Sequence, residues 1–300
     1  MNDWNTLAEG QSYPPGTLYV VATPIGNVAD LSARALHVLA QADAIACEDT
    51  RNTAHLLNRL GLHKPLLAAH QHNEMEAAQH IAARLAAGER IAYVSDAGTP
   101  GISDPGAKIV AAARAAGARV MPLPGANAAI TALSAAGDLL DAGDGRFTFV
   151  GFLSPKAEAR EAQLRALAAR PEAWILYEAP HRIAATLAAL AAVLPGERRI
   201  LIGRELTKLF EQLVVVRADA ASGWLAADAA HAKGEFVLVV EGAGESTAGE
   251  AGATLNAQHV LALLLAELPA KRAAKLASAI TGVPTDTLYA AALAAKGATP

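Results

Sequence analysis

The chain has 300 residues, of which 53% are hydrophobic, 18% charged and 4% aromatic, and its formal net charge is −4 at pH 7. That length supports about two domains with cores of their own, and the acidic balance excludes a globally basic nucleic-acid binder, leaving only a local positive patch for such a partner. The single cysteine, Cys47, excludes an intrachain disulfide and fits a reducing compartment.

Met1 to Pro15 carries two acids and no basic residue, and lacks the charge pattern and apolar stretch of a signal peptide. Residues 1–16 are expected to be flexible. Apolar runs and amphipathic stretches then alternate. Thr17 to Ala22 predicts a strand, and Asp30 is the expected cap of a helix to about Ala40, with Leu31, Ala35, Leu36 and Leu39 on one face. Ala44 to Cys47 predicts a strand in which Cys47 is a small buried hydrophobe. A helix from about Thr53 to Leu60 follows and stops at Gly61. Strands at Leu66 to Ala69 and Arg90 to Val94 flank a helix from about Glu74 to Ala87. Ala118 to Met121 closes the set, and Pro124-Gly125 opens a helix to about Ala136. This alternation predicts an α/β domain over 17–136 with a mostly parallel sheet covered on both faces.

The Gly- and Asp-rich stretch 137–146 reads as a linker. A second α/β domain is expected over 147–242, with strands at Phe147 to Val150, Ala173 to Tyr177, near Arg199 to Ile202, Gln212 to Val216 and Phe236 to Val240. Gln212 to Arg217 follows Leu206 to Glu211 without a full crossover helix, which predicts some antiparallel pairing. Residues 243–254 form a second linker, and 255–300 a helical module with helix-turn-helix-like spacing. Its cluster Lys271, Arg272 and Lys275 offers an RNA contact; the alternative is a packing or dimerisation appendage. The apolar run Val260 to Ala266 is far short of a membrane span, and a cytoplasmic location is expected.

The most constrained loop is Ser95-Asp96-Ala97-Gly98-Thr99-Pro100-Gly101-Ile102-Ser103-Asp104-Pro105-Gly106, at the end of a predicted strand. Three glycines and two prolines in twelve residues fix an irregular backbone, where open α/β sheets bind ligands. Two carboxylates and the hydroxyls suit a small polar molecule, while Asp104 and Pro105 read as the cap and first position of the next helix. No G-x-x-x-x-G-K-[ST], G-x-G-x-x-G after the first strand, G-x-S-x-G or H-E-x-x-H is present, which argues against P-loop, dinucleotide-binding, nucleophile-elbow and zinc-protease chemistry. His70-Gln71-His72 places two histidines on one face of a strand, but a metal site usually needs a third ligand, which only geometry could assign to an Asp or Glu, and no metal is expected.

Several segments in order carry a resemblance: Leu18 to Asn27, Glu48-Asp49-Thr50-Arg51, His70 to Glu74, the Ser95 to Gly106 loop, Pro122 to Gly125, Ile130 to Ser134, Gly151-Phe152-Leu153, Tyr177-Glu178-Ala179-Pro180-His181-Arg182, Arg204 to Lys208 and Lys233-Gly234-Glu235. Together they resemble the ribosomal RNA small-subunit methyltransferase I family, 2′-O-ribose methylases of the tetrapyrrole (class III) methylase superfamily. The likeness covers Thr17 to about Gly242, and the helical tail is similar to the family's extension. Ala126-Asn127 and Ser154-Pro155 depart from the family pattern.

The resemblance implies two α/β domains with S-adenosylmethionine in the cleft between them, a homodimer, and methylation of a cytidine 2′-hydroxyl in the decoding region of 16S RNA. It implies cofactor contacts at Pro24, Asp96, Gly98, Thr99, Ile102, Asn127, Ala128, Tyr177, Leu206 and Gly234.

Methyl transfer to a ribose hydroxyl calls for positioning and for a proton acceptor. The candidates for the chemistry are Glu48, Asp49, His72 and Glu211, with Lys208 as a further catalytic candidate; Arg51, Arg182, Arg204 and Lys208 are candidates for flanking phosphates. Each has a structural alternative. Glu48 to Arg51 also fits a helix start with a local ion pair, His72-Asn73 a helix cap, Arg204-Glu205 and Lys208-Glu211 surface ion pairs, and His181-Arg182 a first helical turn. Competing functions are methylation of a tetrapyrrole or other small molecule, non-catalytic RNA binding in ribosome assembly, and a phosphoesterase. Thr23-Pro24-Ile25-Gly26-Asn27 differs from the G-x-G-P-G-D turn of the tetrapyrrole enzymes.

Overall fold

A computed structural model describes residues 8, 10–70, 73–244 and 257–297. The first unit is a sheet of β1 (Thr17–Val21), β2 (Ala44–Cys47), β3 (Leu66–Ala68), β4 (Ile91–Val94) and β5 (Arg119–Leu123), connected by α1 (Ala33–Gln41), α2 (Thr50–Arg59), α3 (Glu74–Ala86) and α4 (Ala107–Ala115). The strand order is β3-β2-β4-β1-β5, and every pair is parallel. β2 and β4 are buried throughout, because helices cover both faces. α5 (Ala128–Ser134) then leads to the second unit: β6 (Phe147–Phe152), α6 (Ala157–Ala168), β7 (Ala173–Glu178), α7 (Ile183–Val193), β8 (Arg199–Arg204), β9 (Gln212–Arg217), α8 (Ala221–Ala227) and β10 (Phe236–Val240). Its order is β6-β7-β10-β8-β9, with only β6 and β7 parallel. The helical module comprises α9 (257–267), α10 (Ala270–Thr281) and α11 (Thr285–Gly297), packed around Leu261, Ala273, Ala277 and Leu288.

Several boundaries differ from expectation. Ser32, not Asp30, caps α1, its hydroxyl accepting from Ala35 N at 3.1 Å; Asp30 ends a short 3-10 turn. α2 begins at Thr50 because Asp49 caps it. α4 does not begin at Asp104-Pro105: it starts at Ala107, and Glu74 from α3 accepts from Gly106 N at 3.0 Å and Lys108 N at 3.3 Å. That cross-helix cap satisfies two of the orphan donors at the start of α4 and releases Asp104 from the task. α5 starts at Ala128, capped by Asn127, rather than at Pro124-Gly125.

The amino-terminal segment is not loose where it is described. Tyr13 is buried beside His37 and Tyr19, and Tyr19 donates to Pro14 O at 2.8 Å. The expected linker 137–146 contains a 3-10 helix, Gly137–Gly143, whose Leu139 is buried with Ile175, Val239 and Ala132. Arg199 fixes it further by pairing with Asp138 and Glu241, each at 2.6 Å. Most of the second linker, from 245 to 254, lies outside the described residues.

Leu139→Ala is expected to destabilise the protein by about 2–5 kcal/mol in denaturant unfolding, the cost of a core cavity, whereas a linker residue would change stability by less than about 0.5 kcal/mol.

Candidate active site

The loops after β4, β1 and β5 meet because these strands are neighbours in the sheet. Thr23 and Gly98 exchange backbone hydrogen bonds of 2.9 and 3.0 Å. Two hydroxyls of the loop are engaged with backbone carbonyls: Ser95 donates to Gly98 O at 3.0 Å, and Thr99 to Ala126 O in the loop after β5 at 2.9 Å. Thr23 likewise donates to Ser95 O at 3.1 Å. Gly98 has φ +78° and sits where a Cβ would press on Ile25, so a glycine is required there.

The second unit supplies the opposite wall. A bulge at Gly151 shifts the register of β6 and brings Phe152 against Tyr177, with ring centroids 5.8 Å apart. The Tyr177 hydroxyl accepts from Ala129 N at 3.1 Å, and the Thr207 hydroxyl accepts from Asn27 N at 3.2 Å, so both ends of the cleft are tied across the units. Between the walls lies a cavity of about 300 Å³, at the small end of ligand pockets. Of the four non-glycine residues with left-handed backbone among those described, Ser103 lines it, and Glu205 and Thr207 flank the lining residue Leu206. Such strain collects where the surroundings impose a geometry that function needs.

Of the expected cofactor contacts, Gly98, Thr99, Ile102, Asn127, Ala128, Tyr177 and Leu206 line this cavity. Pro24 and Gly234 do not; each stands beside a lining residue, Ile25 and Glu235. Gly234 has a packing reason, since a Cβ there would lie 2.4 Å from Glu205 Cγ. Asp96 also lies outside the wall. Its carboxylate turns to α2, accepting from Asp49 N at 3.0 Å and Asn52 Nδ2 at 2.8 Å.

The remaining candidates divide. Asp49 caps α2 and pairs with Arg51 at 2.6 Å, and that guanidinium holds its carboxyl down at about 2. Burial, then Asp96 and Asp49, push the Glu48 carboxyl up. Neither residue lines the cavity. Arg51 is exposed and remains accessible to a phosphate. His72 lies outside the described residues. Asn73 is at the start of α3 but makes no side-chain cap; it accepts from His70 N and donates to Ala68 O, bracing the loop.

Arg182 and Arg204 are turned inward, against the expectation for phosphate contacts. Arg204 is buried and donates to Lys233 O at 2.7 Å, Phe210 O at 3.1 Å and Gln212 Oε1 at 3.1 Å, so it is no surface ion pair. Arg182 donates to Leu153 O at 2.6 Å, and its Nε lies 3.0 Å from Glu178 Oε1 without the alignment of a hydrogen bond. Lys208 lines the cavity with its stem while its ammonium lies between Glu205 at 2.8 Å and Glu235 at 2.7 Å. Glu211 accepts from Thr207 N and holds the 205–211 loop.

The wall residues that were on no candidate list include Phe152, Glu178 and Asp104. The first two sit in recognised segments, Gly151-Phe152-Leu153 and Tyr177 to Arg182. Asp104 was hidden by its resemblance to a helix cap. Burial, then Glu48, with a further push from Asp96 against the Ser95 hydrogen bond, raise its carboxyl to about 6. Among the described residues, no group of three or more His, Cys, Asp or Glu side chains is placed to hold a metal, and no helix is long and apolar enough to cross a membrane.

The parallel first sheet, the mixed second sheet and the cavity between them define the tetrapyrrole-methylase class, and residues 17–222 match the model of the Tetrapyrrole (Corrin/Porphyrin) Methylases. Residues 251–296 match the RsmI C-terminal HTH domain. Solved structures agree in fold: uroporphyrin-III-C-methyltransferase from Thermus thermophilus has a TM-score of 0.54 at 21% identity, covering 79% of this chain and 97% of its own. The methyltransferase CobJ has a TM-score of 0.57 at 25% identity, covering 76% and 95%. Ribosomal RNA small subunit methyltransferase I of Pseudomonas aeruginosa is 47% identical over 94% of this chain and 98% of its own length. The protein of the same name from Xylella fastidiosa is 48% identical over 92% and 98%. The chain belongs to the ribosomal RNA small subunit methyltransferase I family.

Arg182→Ala leaves the enclosed Glu178 carboxylate without its cation, and a loss of about 3–5 kcal/mol is expected in denaturant unfolding; a phosphate-binding arginine would leave stability nearly unchanged. Asp104 gives a pH signature. Its folded carboxyl titrates at about 6 against an ordinary 3.8, so between those values the folded state binds more protons and stability falls as pH rises. Asp104→Asn is therefore expected to raise Tm at about pH 8 and to lose that gain at about pH 4, checked by calorimetry at both pH values.

Proposed function

We propose that this chain transfers the methyl group of S-adenosylmethionine to the ribose 2′-hydroxyl of a cytidine in the decoding region of 16S RNA. It acts as a cytoplasmic homodimer on the small ribosomal subunit. The observation that carries the reading is the cavity between the two units, in a chain close to half identical to relatives named for small-subunit RNA methylation. A structural neighbour of the same fold, a uroporphyrin-III C-methyl transferase, is complexed with S-adenyl homocysteine, and the donor set here suits that kind of ligand. Ile102, Phe152 and Leu206 offer apolar walls and Asn127 a polar edge. When bound, the sulfonium supplies an electrophilic methyl group.

The chain's own residues supply position and exclusion of water. The Thr23–Gly98 joint fixes one wall, and the Tyr177–Ala129 hydrogen bond sets its distance from the other. In-line displacement gains most from such positioning. The RNA would meet exposed cations, Arg51 on the first unit and Lys271, Arg272 and Lys275 on α10. These are local patches on an acidic chain, which favours a structured particle over naked RNA. Leu209, Phe210, Leu213 and Val215 are exposed on and before edge strand β9, an apolar border suited to a second copy.

The test is transfer of labelled methyl from S-adenosylmethionine to small subunits lacking the modification, with nuclease mapping of the label. Wild type is expected to label one ribose 2′-oxygen. Ile102→Trp, which fills the cavity from an exposed loop position, is expected to weaken cofactor binding by at least about tenfold, or about 1.4 kcal/mol. Cofactor binding without label on subunits would instead point to a small-molecule acceptor.

A further inference from the structure

We propose that Asp104 takes the proton from the hydroxyl that is methylated, a role that rests on the function proposed above. Three carboxylates stand in the cavity wall, Asp104, Glu178 and Glu235. Two are already committed. Glu178 is fully enclosed and is met by the Thr186 hydroxyl at 2.6 Å, Ala179 N at 2.9 Å and the Arg182 guanidinium at 3.0 Å. Glu235 is paired with Lys208 at 2.7 Å. Both carboxylates therefore already have a cationic partner, which leaves Asp104 as the wall carboxylate without one among the described residues.

Asp104 differs on each count. Among the described residues no cation lies within ion-pair distance of it, and Glu74 performs the capping that would otherwise occupy its oxygens. The groups that act on it are Glu48 at the end of β2 and Asp96 and the Ser95 hydroxyl at the end of β4, and its own charge reaches the phenols of Tyr93 on β4 and Tyr177 on β7. None of these is a cation. Half-burial and anionic neighbours make the Asp104 carboxylate more basic than an ordinary one while leaving it ionised above about pH 6, the range in which a general base works best.

In the step, the hydroxyl oxygen bonds to the methyl carbon as the carbon–sulfur bond breaks. The electrons of that bond stay on sulfur, which leaves as a neutral thioether. The electron pair of the O–H bond remains on oxygen, and its proton passes to the Asp104 carboxylate and then to water. No further reactant is needed.

The experiment uses the full chain as wild type, Asp104→Asn, Asp104→Glu and Glu48→Gln. It measures methylation rates on small subunits lacking the modification across about pH 5–8, and calorimetric affinities for S-adenosylmethionine and S-adenosylhomocysteine. Asp104→Asn is expected to lower kcat by about 10²-fold or more, to abolish the acid limb of the pH profile, and to leave both affinities unchanged. Asp104→Glu should restore part of the rate with an acid limb. Glu48→Gln should keep the limb but move it to lower pH, because a negative neighbour has been removed.

An unchanged profile in Asp104→Asn overturns the role. So does a selective loss of affinity for the sulfonium over the thioether with kcat intact at saturation, which would make Asp104 a counter-ion. No label with wild type overturns the proposed function and this role with it. Label with wild type and an unchanged Asp104→Asn profile overturns the role of Asp104 alone.

Discussion

The reciprocal backbone pair between Thr23 and Gly98 is the joint on which the cleft depends. It is an isolated antiparallel bridge beyond the parallel β1–β4 pairing, and it fixes two loops that no regular ladder holds. Thr23, Ser95 and Thr99 reinforce it with side-chain hydrogen bonds to backbone carbonyls, the last reaching the loop after β5. An irregular loop has many backbone polar groups to satisfy, and here three hydroxyls do much of that work. The wall therefore holds its shape before any ligand arrives, which reduces the ordering cost of binding.

Across the cleft the same logic is met with close contacts. A Cβ at Gly26 would fall 2.5 Å from Lys208 Cγ and 2.8 Å from the Thr207 hydroxyl. One at Gly125 would fall 2.7 Å from Ala22 Cβ. The first contact joins the β1 loop to the 205–208 segment of the second unit, so the width of the cavity is set by how near two backbones can come. The left-handed backbone at Glu205 and Thr207 is the strain that accompanies this approach.

The two α/β units were legible because buried strands such as Ala44–Cys47 and Phe236–Val240 read as continuous apolar runs between amphipathic stretches. Cavity-wall positions such as Gly98, Ile102 and Tyr177 were reached through ordered motifs. What sequence did not reveal was direction. Arg182 and Arg204 look like phosphate ligands in one dimension, yet both point inward to satisfy carbonyls and a carboxylate. Similarly, Leu139 is the kind of residue a Gly- and Asp-rich stretch hides, because its partners Ile175 and Val239 are distant in sequence.

The start of α4 shows why local rules fail at the site itself. Asp-Pro-Gly before a helix predicts an aspartate cap, and a capping aspartate would be held in its charged form by the helix dipole. Instead Glu74 crosses from α3 to take that position, with Lys108 at 3.4 Å, and its carboxyl is lowered by the Gly106 and Lys108 hydrogen bonds although burial opposes them. Asp104, only two residues before Gly106, is left half-buried among anions. A sequence under selection for stability alone would have placed one carboxylate where two now stand. Keeping the second, unpaired and facing the cavity, sacrifices stability above about pH 6, and such a sacrifice is characteristic of residues retained for chemistry rather than for folding.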